Sequence, residues 1–440
     1  MSEGRTSSFR RSVTRSGSRV GHESGFVAIP GNSTLDAPPR LIDLTTGLPA
    51  LTALFNELRP LPEKGGASIV YVHLPSNELI EERYGWEALE AYTGFVASDL
   101  SRYARELRAD RDFCVLMRAF ADDFVMIFPA GDSDAELSAR IVSGVRGHLQ
   151  AVDEELAELH EIYIGTASIR PFAKIHPERW IYRGIQKAQR EATDVGRQRL
   201  GGQVRVLDSC IRERAFRMVY QPLVDVRDRS IFAYEALCRC TMEQLRNPHM
   251  LFNVAEQGDR IWPLSRVLRR MTCEAIPSLP EGRLMFINVH PRDFDDPQLL
   301  QPEPWLVEHA DRIVLEVTER ATITDFDDFR RNMEVLREHG VRIAVDDLGS
   351  GYAALSSVAE LQPDFIKFDM TLIRDIHESP VRQNLLRNMI SFARDMNAGV
   401  IGEGVEIVEE LDTLVDLQCT YVQGYYFAKP TAQFLQAVSV

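Results

Sequence analysis

The chain has 440 residues, of which 45% are apolar and 26% charged, and this ordinary globular composition excludes wholesale disorder. Its formal net charge of -15 opposes polyanions through the field of the whole molecule, so a general nucleic-acid binder is disfavoured. At roughly 150 residues per domain, or about 250 for a barrel, the length predicts two domains.

The 6 cysteines form no C-x-x-C pair, which disfavours a zinc site and a disulfide framework and fits a reducing compartment. No window reaches the roughly 18 uninterrupted apolar residues of a membrane span, and the N-terminus lacks an apolar signal core. We therefore expect a cytoplasmic protein without a membrane span.

Residues 1–40 are rich in Ser, Gly and Arg and contain almost nothing to bury. This composition predicts a disordered tail, with a net charge of +3 from six Arg residues against Glu3, Glu23 and Asp36. Because that charge is far below a polybasic membrane anchor, we interpret the tail as a solubilising segment.

Residues 41–200 alternate between helical and strand-like spacing. A helical stretch over 77–107 separates the first strand-like run from two runs typical of a hairpin, and a fourth run follows another helical stretch. Helices set against a short sheet predict an α+β domain, followed by a linker at 201–208. The predicted strands are 67–74, 113–118, 124–128 and 162–169.

Residues 209–440 have a different rhythm, in which short β-rich runs recur and most intervening stretches are long enough for a helix. The clearest helix opens at Thr324 and places Phe329 and Met333 on one face before Gly340. Eight strand candidates match the count and size of a (β/α)8 barrel. They are 218–226, 231–237, 284–289, 312–317, 341–345, 365–368, 400–405 and 421–427.

Polar residues interrupt or directly follow the apolar runs of these strands. Because the carboxyl ends of barrel strands meet at one mouth, we expect these side chains to converge there. A lone Asp or Glu after a strand is ordinarily a helix N-cap or a solvated side chain, and Asp369, Glu406 and Glu409 keep that alternative. The residues at the strand ends are Gln221, Glu235, Arg239, Asn288, Glu316, Glu319, Asp346, Asp347, Lys367, Asp369, Glu403, Glu406 and Gln423.

Several carboxylates around one mouth repel each other, so they must raise their pKa values or bind cations. Oxygen ligands without His or Cys favour Mg²⁺ or Mn²⁺ over zinc. Asp346 and Asp347 are adjacent and suit a bridge between two ions that activate water and hold a phosphoryl oxygen. Lys367 could orient that water or offset negative charge in the transition state.

Eight segments, in order over 219–430, resemble the EAL-type cyclic di-GMP phosphodiesterases. The resemblance implies a TIM-like barrel that cleaves one phosphodiester of cyclic di-GMP to give linear pGpG, with two Mg²⁺ or Mn²⁺ ions. The matching segments are YQPLVDV, YEALCR, FINVHP, LEVTER, VDDLGSGYAAL, FIKFD, GEGVE and VQGYYFAKP.

The same resemblance implies a role for each matching residue. Lys367 would lie beside the attacking water, and Glu319 would brace a loop over 348–352 that contains Ser350. One metal would be held by Glu235, Asn288, Glu316 and Asp346, and the second by Asp346, Asp347 and Glu403. The substrate would be contacted by Gln221, Leu237, Arg239, Glu406 and Gln423, with Arg239 at a phosphate.

The sequence departs from the EAL pattern around the bracing loop and the pocket wall. Leu348 stands in place of a usual Phe, Ser350 in place of Thr, and Cys240 in place of a common Trp. The pair at 353–354 is Ala–Ala where Ser is frequent. These changes bear more on turnover than on metal binding, since every implied metal ligand is present.

The region 41–200 resembles a diguanylate cyclase (GGDEF) domain whose signature is eroded. The sequence FADDF at 120–124 replaces the signature, and Phe120 would block the approach of the backbone to GTP phosphates. The metal position holds His73, the guanine-reading positions hold Glu81 and Glu82, and the inhibition motif keeps Arg111 but has Cys114 for its Asp. The resemblance therefore implies a domain that makes no cyclic di-GMP.

Two functions are the main candidates from the sequence, and a third, in which both domains are only protein-interaction scaffolds, is disfavoured because every implied metal ligand is retained. The first is an active phosphodiesterase whose degenerate front domain regulates or dimerises it, a domain that makes no cyclic di-GMP itself but could bind GTP. The second is a cyclic di-GMP receptor that binds without cleaving and signals to a protein partner. Retention of every implied metal ligand and of Lys367 favours the enzyme, because a receptor needs neither the second ion nor the lysine.

Overall fold

The computed structural model divides the chain into two compact units, Met1–Gly201 and Gly202–Val440. The tail predicted at 1–40 lies outside the residues that the structure describes. Among the described helices, none is both long and apolar enough to cross a membrane. The described residues are 42–49, 58, 61, 65–75, 77, 80–81, 85–120, 123–130, 134–152, 160–170, 174–302, 304–318, 326–348 and 354–438.

The first unit contains a four-stranded antiparallel sheet in the order β2-β3-β1-β4. Its strands are β1 (Ala67–His73), β2 (Val115–Phe120), β3 (Asp123–Pro129) and β4 (Tyr163–Ile169). The predicted strands are confirmed to within two residues at each end. The helices are α1 (Trp86–Arg111), α2 (Asp134–Val152) and α3 (Pro177–Glu213). Helices against an antiparallel sheet make this unit α+β, as the spacing predicts.

Both faces of this sheet are buried, which explains why β1 is a continuous apolar run. Alternate residues of a strand point to opposite faces. Val70 and Val72 join the core that contains residues of α1 and α2, whereas Ile69 and Tyr71 join a separate core with residues of α3. The segment 201–208, which we predict as a linker, is part of helix α3.

The second unit is a closed eight-stranded barrel in the order β5-β6-β7-β8-β9-β10-β11-β12. All eight predicted strands are present, although the last is only two residues long. The strands are β5 (Phe216–Asp225), β6 (Ile231–Cys240), β7 (Leu284–Val289), β8 (Ile313–Thr318), β9 (Arg342–Leu348), β10 (Phe365–Phe368), β11 (Gly399–Gly402) and β12 (Tyr421–Val422).

The barrel departs from the expected all-parallel arrangement at its first strand. Strand β5 is antiparallel to both neighbours, β6 and β12, whereas the other neighbouring strands are parallel. The five residues between β5 and β6 are too few for a crossover helix, so the two strands form a hairpin. The expectation that Gln221 lies at the carboxyl end of a parallel strand is therefore wrong; it lies within β5, opposite Glu235.

Helices surround the barrel strands. The helix predicted to open at Thr324 is observed as Phe326–Glu338, with Met333 and Leu336 fully buried, while Thr324 itself lies outside the described residues. The helices of this unit are α4 (Pro248–Gln257), α5 (Ile261–Cys273), α6 (Pro297–Leu300), α7 (Pro304–Val307), α8 (Phe326–Glu338), α9 (Ala354–Leu361), α10 (Met370–Ile373), α11 (Pro380–Asp395) and α12 (Val408–Asp416).

One layer of apolar side chains forms its own core cluster among the barrel strands. Each of β5 to β11 contributes one residue to it. This layer makes the lower barrel a packed core and not a channel, so a ligand can enter only above it. Its members are Leu223, Ala233, Phe286, Val314, Ala344, Phe365 and Ile401.

Candidate active site

The candidate site is the next layer of side chains above this apolar cluster. Residues two positions apart on a strand share a face, so a polar residue two positions after each apolar one lies over it. Glu235 follows Ala233 in this way, and Lys367 follows Phe365. Gln221 comes two residues before Leu223 because β5 runs in the opposite direction. The same spacing holds for Asn288, Glu316, Asp346 and Glu403.

A register shift brings two consecutive aspartates to this layer. Ile366 pairs with Val345, but Phe368 pairs with Leu348, so Asp346 and Asp347 together oppose Lys367. Such a bulge re-aims a side chain that would otherwise face away. Asp347 has a φ of 60°, in the left-handed region that Asp tolerates better than most residues. Carboxylate oxygens of Asp346, Asp347 and Glu403 consequently lie within 4.8 Å of one another.

Lys367 is the central cation of the site. Its ammonium lies 2.6 Å from Glu403 Oε1, 2.7 Å from Glu316 Oε1, 3.2 Å from Asp346 Oδ1 and 3.7 Å from Glu235 Oε2. The Lys367 side chain is only 1% exposed. A lysine this deeply buried requires paired counter-charges, and here four carboxylates provide them, three on strands and Glu403 directly after β11.

Glu235 is fixed by amide side chains. Asn288 Nδ2 donates a hydrogen bond to Glu235 Oε1 at 2.7 Å, and Gln423 Nε2 donates to Glu235 Oε2 at 2.7 Å. Gln423 Nε2 also donates to Gln221 Oε1 at 3.1 Å, and Gln221 Nε2 donates to the carbonyl of Ala428 at 3.2 Å. Each oxygen of the Glu235 carboxylate is therefore held by one amide donor, and Gln221 in turn contacts the amide of Gln423.

The electrostatics of the site favour added positive charge. Burial, together with neighbouring carboxylates, raises the pKa values of Glu316 and Glu403 well above their ordinary range and raises that of Asp346. Burial opposes the charge on Lys367, but the surrounding carboxylates raise its pKa well above the ordinary value. Five carboxylates including Asp347 thus face one ammonium, which leaves an excess of negative charge.

The residues present fit a divalent cation. Oε2 of Glu316 is buried and has no hydrogen-bond partner, although burying an unpaired carboxylate oxygen is costly. The donors around it are carboxylates and the Asn288 amide, a hard oxygen set that suits Mg²⁺ or Mn²⁺. The described residues contain one carboxylate group compact enough for a shared ion, formed by Asp346, Asp347 and Glu403.

The other predicted site residues lie outside this cluster or outside the described residues. Leu237 and Arg239 are two and four residues beyond Glu235 on β6, and Arg239 Nη1 donates to the carbonyl of Cys238 at 2.8 Å. Asp369 is a helix N-cap, as its alternative interpretation predicts, because its Oδ1 accepts from Thr371 N at 2.8 Å. Glu319 and Ser350 lie outside the described residues.

Glu406 is held by residues that the sequence did not single out. Both its carboxylate oxygens contact the Arg374 guanidinium at 2.5 Å. Its backbone N–H donates to Glu410 Oε2 at 2.9 Å. Arg374 is 32 positions from Glu406 in the chain, and no local motif links them, so the pairing had no sequence signal.

In the first unit, His73 stands at the position where the resemblance implies a metal ligand, and it contacts an aspartate instead. His73 on β1 lies directly opposite Asp123 on β3, and His73 Nδ1 is 2.6 Å from Asp123 Oδ1. The Tyr71 hydroxyl donates to Asp123, and Gln189 Nε2 donates to the Tyr71 hydroxyl at 3.0 Å.

The other residues implied for the first unit lie elsewhere. Arg111 Nη1 donates to the carbonyl of Pro129 at 3.1 Å. The side chains of Glu82, Phe120, Ala121 and Asp122 are not among the described ones, whereas Glu81 is exposed and Cys114 is partly exposed.

The fold and the site together define a barrel with an acidic, cation-accepting mouth. Residues 204–430, more than half of the chain, match the sequence model of the EAL domain, and the chain belongs to the EAL domain family. The crystal structure of the FimX EAL domain from Xanthomonas citri in complex with c-diGMP has a TM-score of 0.50 at 19% identity, covering 56% of this chain and 100% of that one. That similarity shows a shared fold.

Curated relatives match about half of the chain. The Escherichia coli (strain K12) protein named "Probable cyclic di-GMP phosphodiesterase PdeG" is 32% identical over 221 residues, covering 48% of this chain and 44% of the relative. Cyclic di-GMP phosphodiesterase NbdA of Pseudomonas aeruginosa is 29% identical over 234 residues, covering 51% of this chain and 30% of the relative. The chain spans less than half the length of each of these two proteins.

Proposed function

We propose that the barrel hydrolyses cyclic di-GMP to linear pGpG by two-metal phosphodiester cleavage. The observation that carries the proposal is the convergence of the six implied ligands and the buried Lys367 in one layer at the mouth of the barrel. Relatives that are named as cyclic di-GMP phosphodiesterases support the same reaction class. The neighbouring FimX domain, which was crystallised with c-diGMP, supports this ligand for the fold.

Two sets of residues would hold the two ions. Asp346 belongs to both sets and would bridge them. The bound ions would supply Lewis-acid polarisation of a phosphoryl oxygen and activation of water. The first ion would be held by Glu235, Asn288, Glu316 and Asp346, and the second by Asp346, Asp347 and Glu403.

The chain's own residues orient the reacting groups. Asn288 and Gln423 fix both oxygens of Glu235, so this carboxylate needs little reorganisation on binding. Lys367 would lie beside the attacking water and offset the charge that develops on the phosphorus oxygens. Arg239 would contact a substrate phosphate, and Gln221, Leu237 and Gln423 would line the pocket.

The first unit has a supporting role in this proposal. We infer that it is a degenerate GGDEF-like domain without cyclase activity, because His73 and Asp123 are bonded to each other at the position where the resemblance implies a metal ligand. It would regulate the barrel through GTP binding, through homodimer formation or through a protein partner. A chain of residues 205–440 with the same turnover and association state as the full chain, with and without GTP, would contradict this role.

A direct experiment separates the enzyme from the receptor. Purified full-length protein is incubated with cyclic di-GMP and either Mg²⁺ or Mn²⁺, and the products are separated by chromatography. The proposal expects pGpG that depends on the added ion. Binding of cyclic di-GMP by calorimetry without pGpG in either metal would instead identify a non-catalytic receptor.

A further inference from the structure

A charged cluster outside the metal-binding layer connects the two segments that follow β10 and β11. Arg374 lies in the segment after β10, which carries Lys367, and Glu406 lies in the segment after β11, which carries Glu403. The two side chains form a bidentate pair with both N···O distances at 2.5 Å. Bidentate Arg–carboxylate pairs fix geometry as well as contributing energy.

Glu410, on α12, is the third member of the cluster. It is fully buried, and its two carboxylate oxygens accept hydrogen bonds from two different segments. Oε1 accepts from Asp375 N at 3.0 Å, and Oε2 accepts from Glu406 N at 2.9 Å. Asp375 has a φ of 54°, a conformation that is sparsely populated and needs such support.

The two segments also pack closely along their backbones. Glu403 N donates to the Phe368 carbonyl at 3.1 Å. A Cβ atom at Gly404 would lie 2.5 Å from the Cβ of Met370, so only glycine fits there. The two segments are thus joined at two places. One is the contact between Lys367 Nζ and Glu403 Oε1 at 2.6 Å, and the other is the Arg374–Glu406 pair farther along both segments.

We propose that Arg374 and Glu410 are positioning residues that act through Glu406 to hold Glu403 against Lys367. The proposal deepens the proposed phosphodiester hydrolysis and rests on it. It also reassigns Glu406, which the resemblance implies at the substrate, to the support of the metal-binding loop. An error of about 1 Å in a catalytic group can cost about 100-fold in rate, so loosening this loop has a measurable effect.

The test is a double-mutant cycle with Arg374→Met and Glu406→Gln in the full chain. Each single variant is expected to lower kcat/KM for cyclic di-GMP by about 10- to 100-fold and to weaken Mn²⁺ binding, measured by calorimetry without substrate, by about 10-fold. Because both residues act through one pair, the double variant is expected to be no worse than the poorer single variant. Glu410→Gln, which keeps one acceptor oxygen, is expected to lose less than Arg374→Met.

Arg394→Met is the matched control. Arg394 also makes a two-point contact, donating to Gln418 Oε1 at 2.6 Å and to the Gln418 carbonyl at 2.8 Å, but Arg394 lies before β11 and Gln418 lies before β12, at the amino ends of the strands. It is expected to keep wild-type activity and Mn²⁺ affinity even if its thermal unfolding temperature falls. A merely structural role for Arg374 would give the same pattern as this control and would overturn the proposal.

Two other results have distinct meanings. Additive losses in the cycle, with a rise in KM confined to variants of Glu406, would overturn the proposal and return Glu406 to direct substrate contact. If the wild-type chain forms no pGpG, the proposed function fails, but the positioning role is still decided by calorimetry. Unchanged Mn²⁺ affinity in Arg374→Met would then refute it.

Discussion

Replacing Asp346 with Asn is expected to abolish turnover while stabilising the metal-free protein. Asp346 lies 3.2 Å from the Lys367 ammonium, which at an effective dielectric of about 20 is an attraction of roughly 5 kcal/mol. Its carboxylate is also within 4.8 Å of those of Asp347 and Glu403, which adds repulsions of at least about 3.5 kcal/mol each. The two repulsions together exceed this attraction, and burial adds a further cost to the charged form, since burial is the main cause of the raised pKa of Asp346.

The amide keeps the size of the side chain and an oxygen that can accept from Asp347 N. We therefore expect the free energy of unfolding without metal to rise by about 1 to 3 kcal/mol at neutral pH. Turnover is expected to fall by at least about 10³-fold, the upper range for losing one oriented polar group, because Asp346 is shared by both proposed ion sites.

The assay compares pGpG formation in Mn²⁺ and Mg²⁺, calorimetry with Ca²⁺, and thermal unfolding in a chelator. Asp364→Asn is the control, since Asp364 lies just before β10, where its Oδ2 accepts from Ile343 N at 2.9 Å, away from the mouth. It should leave turnover intact. Wild-type turnover in Asp346→Asn would refute the bridging role, and a loss of stability in this variant would refute the charge argument.

Three further outcomes are expected. Lys367→Ala should still bind Ca²⁺ and cyclic di-GMP by calorimetry but lose about 10²-fold in turnover, since its proposed role begins only when water attacks; equal losses in binding would contradict this. Burial, with Arg146 and Arg199 nearby, lowers the pKa of His160 to about 4, so the unfolded chain takes up this proton first and stability falls by up to about 3 kcal/mol as pH drops from 6.5 towards 4. His160→Gln should flatten that pH dependence in chemical denaturation, and an unchanged slope would exclude His160 as its source. Glu235→Ala, which cannot consume the product, should yield no cyclic di-GMP from GTP and Mg²⁺; any such product would show that the first unit is a cyclase.

The sequence predicted the strands and the polar layer because both follow from spacing within single segments. Asn288 and Glu316 each interrupt an apolar run near the end of a strand, and this pattern is visible without any partner. The direction of β5 was not predicted, since the apolar pattern of a strand is the same in either direction. Its short connection to β6 was the available signal, and it determines where Gln221 lies.

Contacts between distant segments could not be predicted in the same way. The shift that turns Asp347 towards the mouth depends on how β9 pairs with β10, and neither segment alone contains that register. The partner of Glu406 depends on the distance between two segments after the strands, and Arg374 lies in a stretch with no motif of its own. The types of side chain at the strand ends are therefore enough to predict a cation-binding site. The contacts that support those side chains, such as the pair Arg374–Glu406, can be seen only in the folded structure.

The charge balance constrains the order of binding in the proposed reaction. A phosphodiester brought to the metal-free mouth meets five carboxylates, and the Lys367 ammonium is already within 4 Å of four of them. Such a site repels an anionic ligand until cations reverse the local charge. Divalent ions and cyclic di-GMP should therefore bind with positive coupling, and by linkage the nucleotide should raise the affinity for the ion by the same factor. The acidic net charge of the chain is consistent with the proposed reaction, because selectivity for a phosphodiester would come from bound ions and not from the field of the protein.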